Sequence, residues 1–166
     1  LGIKELEFRD DFPPHLKWVG YRCLSFDKLP KEQEQYFTTS KKRVLVTCGT
    51  HLKWEKERMV KLAKMLSQEY PDYHFYVTLG NPSGLQNPPH HLNNNLLLFD
   101  YLPYTDILDK MDFVIHHAGS GILMGCIEQG IPSLILPQDF DQFDNALRAE
   151  LAQVGLVSRK KTDSEV

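Results

Sequence analysis

Cysteine is scarce in this 166-residue chain, no apolar run is long, and basic residues do not outnumber acidic ones. Each shortage excludes something. The three cysteines, Cys23, Cys48 and Cys126, are an odd and widely spaced set. That suits buried thiols in a reducing compartment better than a disulfide framework, so the expected location is cytoplasmic. No apolar stretch approaches the ~20 residues that cross a bilayer, and no secretory signal opens the sequence, so no transmembrane segment is expected. A formal net charge of -3 offers no basic face for nucleic acid or an anionic membrane. The short "SRKK" at 158–161 does not supply one. Internal repeats and low-complexity segments are absent as well.

What remains is ordinary for a soluble globular domain: 42% hydrophobic and 25% charged residues. The length allows one core that buries roughly 70% of the unfolded surface. The first forty residues differ from the rest. "FRDDFPPHLKWVGYR" has a proline pair, little periodicity and a short extended segment, and polar residues follow to Lys42. Residues 1–40 therefore read as a connector between domains rather than as core, and residues 41–166 as the domain itself.

Periodic structure begins at "KKRVLVTCGTH". Arg43 to Thr47 is a β-branched run ending near Gly49, as in a buried parallel strand and its turn. Met59, Leu62, Ala63 and Leu66 repeat at helical spacing between Lys53 and Tyr70, where Pro71 stops the helix. "YHFYVTLG" is a second strand. "GNPSGLQNPPHHLNNN" reads as a loop from its Gly, Pro and Asn content, with no role for His90, His91 or the asparagines. A strand at "LLLFDYLP", a short helix at "YTDILDKM" and a strand at "DFVIHHAG" follow. Then come a helix over 120–129, the strand "IPSLILP", and a helix over 142–153 with Ala146, Leu147, Leu151 and Val154 inward. "GLVS" makes a last strand. Such alternation predicts an α/β fold: a Rossmann-like parallel sheet with helices on both faces and right-handed crossovers.

Ligands of such sheets sit outside the carboxyl ends of the strands. The residues there are Gly49-Thr50-His51, Gly80-Asn81, Asp100-Tyr101, His117 to Gly121, and Pro137 to Gln142. "HHAGSG" breaks local rules, since a buried strand prefers Val or Ile and a helix start gains nothing from extra glycine. Gly119 and Gly121 leave room for a ligand, and the amides after them are free donors at the positive end of a helix dipole, a site suited to phosphate. Successive strand residues face opposite ways, so one histidine, His117, faces the ligand and His116 packs beneath. The stretch fits equally a tight turn with two hydrogen-bonded core histidines. In "LPQDFDQFDNA", Asp141 and Gln142 suit vicinal hydroxyls of a sugar, and Asp139 or Asp141 equally suits a helix N-cap. The Asp-x-Asp pair alone makes a poor metal site.

Together, "FVIHHAGSG…EQGIPSLILPQDFDQFDNA" resembles the donor-binding half of GT-B glycosyltransferases, the group of macrolide and UDP-sugar transferases. The match runs through His117, Gly119, Gly121, Gly130, Pro132, Pro137, Asp141, Gln142, Asn145 and Ala146 in that order and spacing. It extends over roughly residues 41 to 158. The resemblance implies that His117 contacts the donor diphosphate, with Thr50 nearby and the amides around Gly119, Ser120, Gly121 and Ile122 holding its oxygens. It implies that Tyr101 stacks on the nucleotide base, Leu102 offers backbone hydrogen bonds to it, and Asp141 and Gln142 grip the sugar. Ile122 stands where the family usually has Ser or Thr, Gly125 where many members have a ribose-binding Glu, and Tyr104 where a Gln is common. Glu128, one turn beyond Gly125, is the candidate replacement.

The reaction so implied is that of an inverting, metal-independent transferase of hexosyl type. It moves a sugar from a UDP- or dTDP-sugar to an acceptor hydroxyl and needs no cofactor beyond the nucleotide sugar. The catalytic base is unknown and expected on an acceptor-binding N-terminal domain. The chain is expected to be a donor domain truncated at its C-terminus, inactive alone. The alternatives are a donor-binding subunit of a two-chain transferase, and a nucleotide-sugar epimerase or nucleotide-binding module of the same fold.

Overall fold

The computed structural model describes residues 3–22 and 27–158. Cys23, "RKK" at 159–161 and the rest of the C-terminal stretch to residue 166 lie outside the described residues. Seven strands form one sheet: β1 (Lys42–Thr47), β2 (Tyr73–Thr78), β3 (His90–Asn93), β4 (Leu96–Phe99), β5 (Phe113–His116), β6 (Ser133–Ile135) and β7 (Leu156–Val157). Their order is β3-β4-β2-β1-β5-β6-β7. All neighbours are parallel except the edge pair β3 and β4. Among the described residues five α-helices accompany them: α1 (Lys31–Glu34), α2 (Lys56–Glu69), α3 (Tyr104–Ile107), α4 (Ser120–Gln129) and α5 (Gln142–Leu151).

Val44 to Thr47 and Phe75 to Thr78 are buried without alternation, because both faces of the central strands are covered. On one face, Met59 and Ala63 of α2 pack on Val44, Val46, Phe75 and Val77. On the other, Leu45, Tyr76, Phe99 and Val114 meet Ile107 of α3 and Ile122 and Cys126 of α4. Ala146 and Ala149 of α5 join Leu123 and Ile135 in a third cluster beside it. The expected architecture, helices on both faces of a parallel sheet, is the observed one.

Three details differ from the sequence reading. His90–Asn93 is a strand, not loop; it pairs antiparallel with β4 and slips register between His91 and Asn93. Its exposed histidines and the register slip conceal the strand periodicity. Beside it Asn95 is buried, its Nδ2 donating to the carbonyls of Ser67 and Tyr73 at 3.0 Å each. That ties the end of α2 to the start of β2. In α5, Leu147 and Leu151 are exposed, and the buried positions are Gln142, Asn145, Ala146 and Ala149. Finally, Leu29 and Phe37 lie within the core, although they precede β1. Phe37 stacks on Tyr76 with ring centroids 4.9 Å apart, and Gln33 donates to the carbonyls of Leu85 and Asn87. Tertiary contacts, not periodicity, hold this segment.

Candidate functional site

The parallel register brings the strand ends into one line: Thr47 of β1 pairs with Thr78 of β2 and with His116 of β5, and His116 with Ile135 of β6. The chain runs from β1 one way to β2, and from β4 the other way to β5. The topology therefore reverses between β1 and β5, where such sheets open a crevice. Both central strands end in the same device. Thr47 Oγ1 accepts the amide of Gly49 at 3.1 Å, and Thr78 Oγ1 that of Gly80 at 3.2 Å. Both glycines have positive φ, +70° and +64°, which favours glycine. A Cβ on Gly80 would also lie 2.3 Å from the Gly49 carbonyl oxygen.

The two histidines after β5 have separate environments. His116 is wholly buried, and its Nδ1 accepts the Ala118 amide at 3.0 Å. Burial pushes its pKa down to about 3, and the neighbouring His117 adds to the effect. His117 lines the cleft beneath the rim and is lowered to about 4, chiefly by burial. The Thr47 backbone and the Asp141 carboxylate oppose that shift, and His51 reinforces it. Both imidazoles are therefore neutral near pH 7. His117 Nδ1 is buried without a hydrogen-bond partner, which is costly unless something meets it.

Helix α4 starts directly beyond. Gly119 is its N-cap and has no side chain to cap with; the first helical bond runs from Leu123 N to Gly119 O at 3.1 Å. The amides of Ser120, Gly121 and Ile122 therefore stand at the open, positive end of the helix. Gly130 closes the other end in a left-handed conformation, and the Ile131 amide bonds back to Cys126 O at 2.9 Å. Gly125 is buried against α3's continuation, where a Cβ would lie 2.7 Å from Leu108 Cδ1. A larger residue there requires the end of the Leu108 side chain to shift. Glu128 is exposed and stands apart from the cleft, roughly 12 Å along the helix from its first turn.

The loop after β6 forms the opposite wall. Asp141 is the exposed N-cap position of α5, and its Oδ2 accepts from Asn145 Nδ2 at 3.0 Å. The same Asn145 amide donates to the Ala118 carbonyl at 3.0 Å. One buried side chain thus joins the His-Ala-Gly turn to the Asp-Gln loop. Gln142 is buried, and its Oε1 accepts the amides of Gln138 and Asp139 at 3.0 and 3.2 Å, so it shapes the loop it closes. Phe140 between them has φ +56° yet leaves its ring 66% exposed.

Together these walls enclose a cleft of about 510 Å³. Of the residues singled out from sequence, the cleft brings together Thr50, Tyr101 and Leu102 with His117, Gly119 and Ser120. Gly121, Ile122, Asp141 and Gln142 line it too. Glu128, the candidate ribose contact, lies outside it, as do Asn81, Asp100 and Asp139 among the strand-end residues. Tyr101 is anchored by its hydroxyl, which donates to Asp27 Oδ2 at 3.1 Å. Tyr104 bonds Thr47 Oγ1 at 2.8 Å. The cleft also includes His51, Thr78, Gly80 and Phe140, to which no role had been assigned. The repeated Thr-x-Gly of "VTCGT" and "VTLGN" is the signal that marks two of them. Among the described residues, no three of His, Cys, Asp and Glu gather as a metal site. Larger apolar hollows lie elsewhere, one between α2 and β6, but they hold none of these polar groups.

Residues 77–165 match the family described as erythromycin biosynthesis protein CIII-like, C-terminal domain. The chain belongs to that family. It is the C-terminal domain of a GT-B glycosyltransferase. Human UDP-glucuronosyltransferase 2A2 is 29% identical over 146 residues, covering 85% of this chain and 26% of that protein. The mouse UDP-glucuronosyltransferase 2A1 is 27% identical over 98% of this chain and 31% of its own length. The chain thus spans about a quarter to a third of the curated relatives it matches. Among solved structures, spinosyn rhamnosyltransferase SpnG complexed with thymidine diphosphate is 25% identical with a TM-score of 0.66, over 93% of this chain and 40% of that one. The glycosyltransferase SsfS6 of Streptomyces sp. SF2575, complexed with thymidine diphosphate, has a TM-score of 0.62 at 20% identity, over 84% and 35%. No helix among the described residues is long and apolar enough to cross a membrane.

Proposed function

We propose that the cleft binds a UDP- or dTDP-sugar and that the domain serves an inverting, metal-independent, hexosyl-type glycosyltransferase. The observation that carries this reading is the convergence, at the sheet's reversal point, of the open N-terminus of α4, His117 with its unpartnered Nδ1, and the Asp141 carboxylate. The names of the relatives, which specify UDP and thymidine diphosphate, support the nucleotide. In the reaction an acceptor oxygen bonds to the anomeric carbon as the bond to the diphosphate breaks. The electron pair leaves on the diphosphate, and the acceptor proton passes to a base. Helix amides and an imidazole supply the stabilisation of that leaving charge, so neither metal nor cofactor is needed. His117, Gly119, Ser120, Gly121, Ile122 and Thr50 serve the diphosphate. Tyr101 and Leu102 serve the base; Asp141 and Gln142 face the sugar.

The base that takes the acceptor proton belongs to an acceptor-binding domain or subunit, with the residues ahead of Leu29 as the connector, since Leu29 and Phe37 belong to the donor domain's core. The isolated chain therefore binds nucleotide and transfers little or no sugar. Buried thiols at Cys48 and Cys126 suit a cytoplasmic setting. Calorimetric titration of the chain with UDP, dTDP and GDP tests the reading. Binding of UDP or dTDP, weakened about tenfold or more in His117→Ala, is the expected result. Titrations in which none of the three binds would overturn it.

A further inference from the structure

A nucleoside diphosphate brings several negative charges, yet among the described residues lining the cleft there is no lysine and no arginine. Asp141 even adds a carboxylate. His117 is buried and neutral, so it offers a directed hydrogen bond rather than a charge. The α4 terminus contributes only partial charges, equivalent to about half a proton. Apart from His51, the residues lining the cleft offer an anionic ligand no full cation.

One side chain in it can supply one. His51 follows β1 two residues beyond the left-handed Gly49 and is exposed at the mouth of the cleft. It lies near enough to His117 for its charge to depress that imidazole. Thr50 Oγ1 and His51 Nδ1 are 3.1 Å apart. That bond fixes the ring by one nitrogen and leaves Nε2, the outer one, for a ligand. Thr50 and His51 thus stand as a pair facing α4 across the crevice between β1 and β5.

We propose that His51 is the cationic diphosphate contact of this site, held by Thr50 and working opposite the neutral His117. The two imidazoles divide the task by environment. The buried one is fixed and uncharged; the exposed one, held through Nδ1 by Thr50, has its outer nitrogen left for phosphate oxygens. This assignment rests on the donor-site reading above and adds a residue that reading does not contain.

The test is titration of the 166-residue chain and of His51→Ala, His51→Gln and His51→Lys with UDP, dTDP, uridine and thymidine. His51 is exposed, so folding is not at risk in these variants. The expected result is about a tenfold loss of diphosphate affinity in His51→Ala. Nucleoside affinity should not change. His51→Lys, which restores a cation, should recover most of the loss, and His51→Gln should recover little. Unchanged diphosphate binding in His51→Ala would overturn the assignment while leaving the donor site standing. An equal loss for nucleosides, or rescue by glutamine as good as by lysine, would also overturn it. If the unaltered chain binds neither UDP nor dTDP, the donor-site reading fails, and the His51 assignment fails with it.

Discussion

The imidazole of His117 occupies the space that a side chain at residue 119 would need: a Cβ on Gly119 would lie 2.4 Å from Nε2. Gly49 bounds the other side, where a Cβ would lie 2.8 Å from Cε1. Gly121, one residue into α4, has nothing within 4 Å of such a Cβ. The two glycines of "GSG" therefore have different duties. Gly119 makes room for a histidine, and Gly121 leaves the helix end open.

Gly119→Ala should displace His117 and cost about 1–3 kcal/mol of stability. Gly121→Ala should leave stability unchanged or raise it by up to about 1 kcal/mol, since alanine suits a helix better. Denaturant unfolding of both variants measures this. Both should weaken UDP or dTDP binding, the first by moving His117 and the second by placing a methyl group in the open cleft. A loss of stability in Gly121→Ala matching that of Gly119→Ala would contradict the division.

Acid should destabilise the domain through its two buried histidines. In the unfolded chain each takes up a proton near pH 6.5, whereas in the fold they are held near 3 and 4. Below pH 6.5 the unfolded state therefore binds more protons, and stability falls as pH falls. The contribution is fully present above about pH 6.5 and is lost progressively down to about pH 4 for His117 and about pH 3 for His116. Its slope approaches ~1.4 kcal/mol per pH unit for each histidine. Asp106 and Asp112, whose pKa values are lowered by partners including Lys28 and Arg43, act with the same sign at lower pH. Unfolding free energies measured at pH 7, 6 and 5 should show the decline. His117→Gln should make it shallower, and an identical slope in that variant would sink the argument.

The strand and helix alternation was legible because the central strands carry short buried apolar runs and the turns after β1, β2 and β5 carry glycine. The rim of the site was legible for the same reason, since parallel register fixes which residues meet at the carboxyl edge. Glu128 shows the limit. Helical spacing put it on the face of Gly125, but the cleft ends at the first turn of α4 and the helix runs away from it. Leu29 and Phe37 show another limit. Phe37 stacks on Tyr76 and Phe99, and the Leu29 amide is held by Asp106; all three partners are distant in sequence, and nothing in the local pattern announces the burial. Leu147 and Leu151 err in the opposite sense: their spacing is amphipathic, yet smaller residues face the sheet.

Phe37→Ala should accordingly behave as a core truncation, although it lies in what reads as a connector. The ring is 5% exposed and stacked against Tyr76 and Phe99. Removing it should cost about 3–5 kcal/mol. Val19, 89% exposed within the same opening segment, is the control, and Val19→Ala should change stability by less than about 0.5 kcal/mol. Thermal melting of the two variants distinguishes a segment that is merely attached from one that completes the core.

Phe140 is held at φ +56°, where a bulky residue is strained by about 1–3 kcal/mol. Its ring recovers little of that by burial, being 66% exposed. Phe140→Gly should therefore raise the melting temperature, since glycine adopts this conformation freely, against a small loss from the more flexible unfolded chain. The strain sits between Asp139 and Asp141 on the wall of the cleft. If the ring serves the bound donor, the more stable variant should also bind a nucleotide sugar less well than the unaltered chain. Phe140→Tyr, which keeps the aromatic face, should show neither change. A glycine variant that is less stable would mean that Phe140 makes contacts strong enough to outweigh its backbone strain.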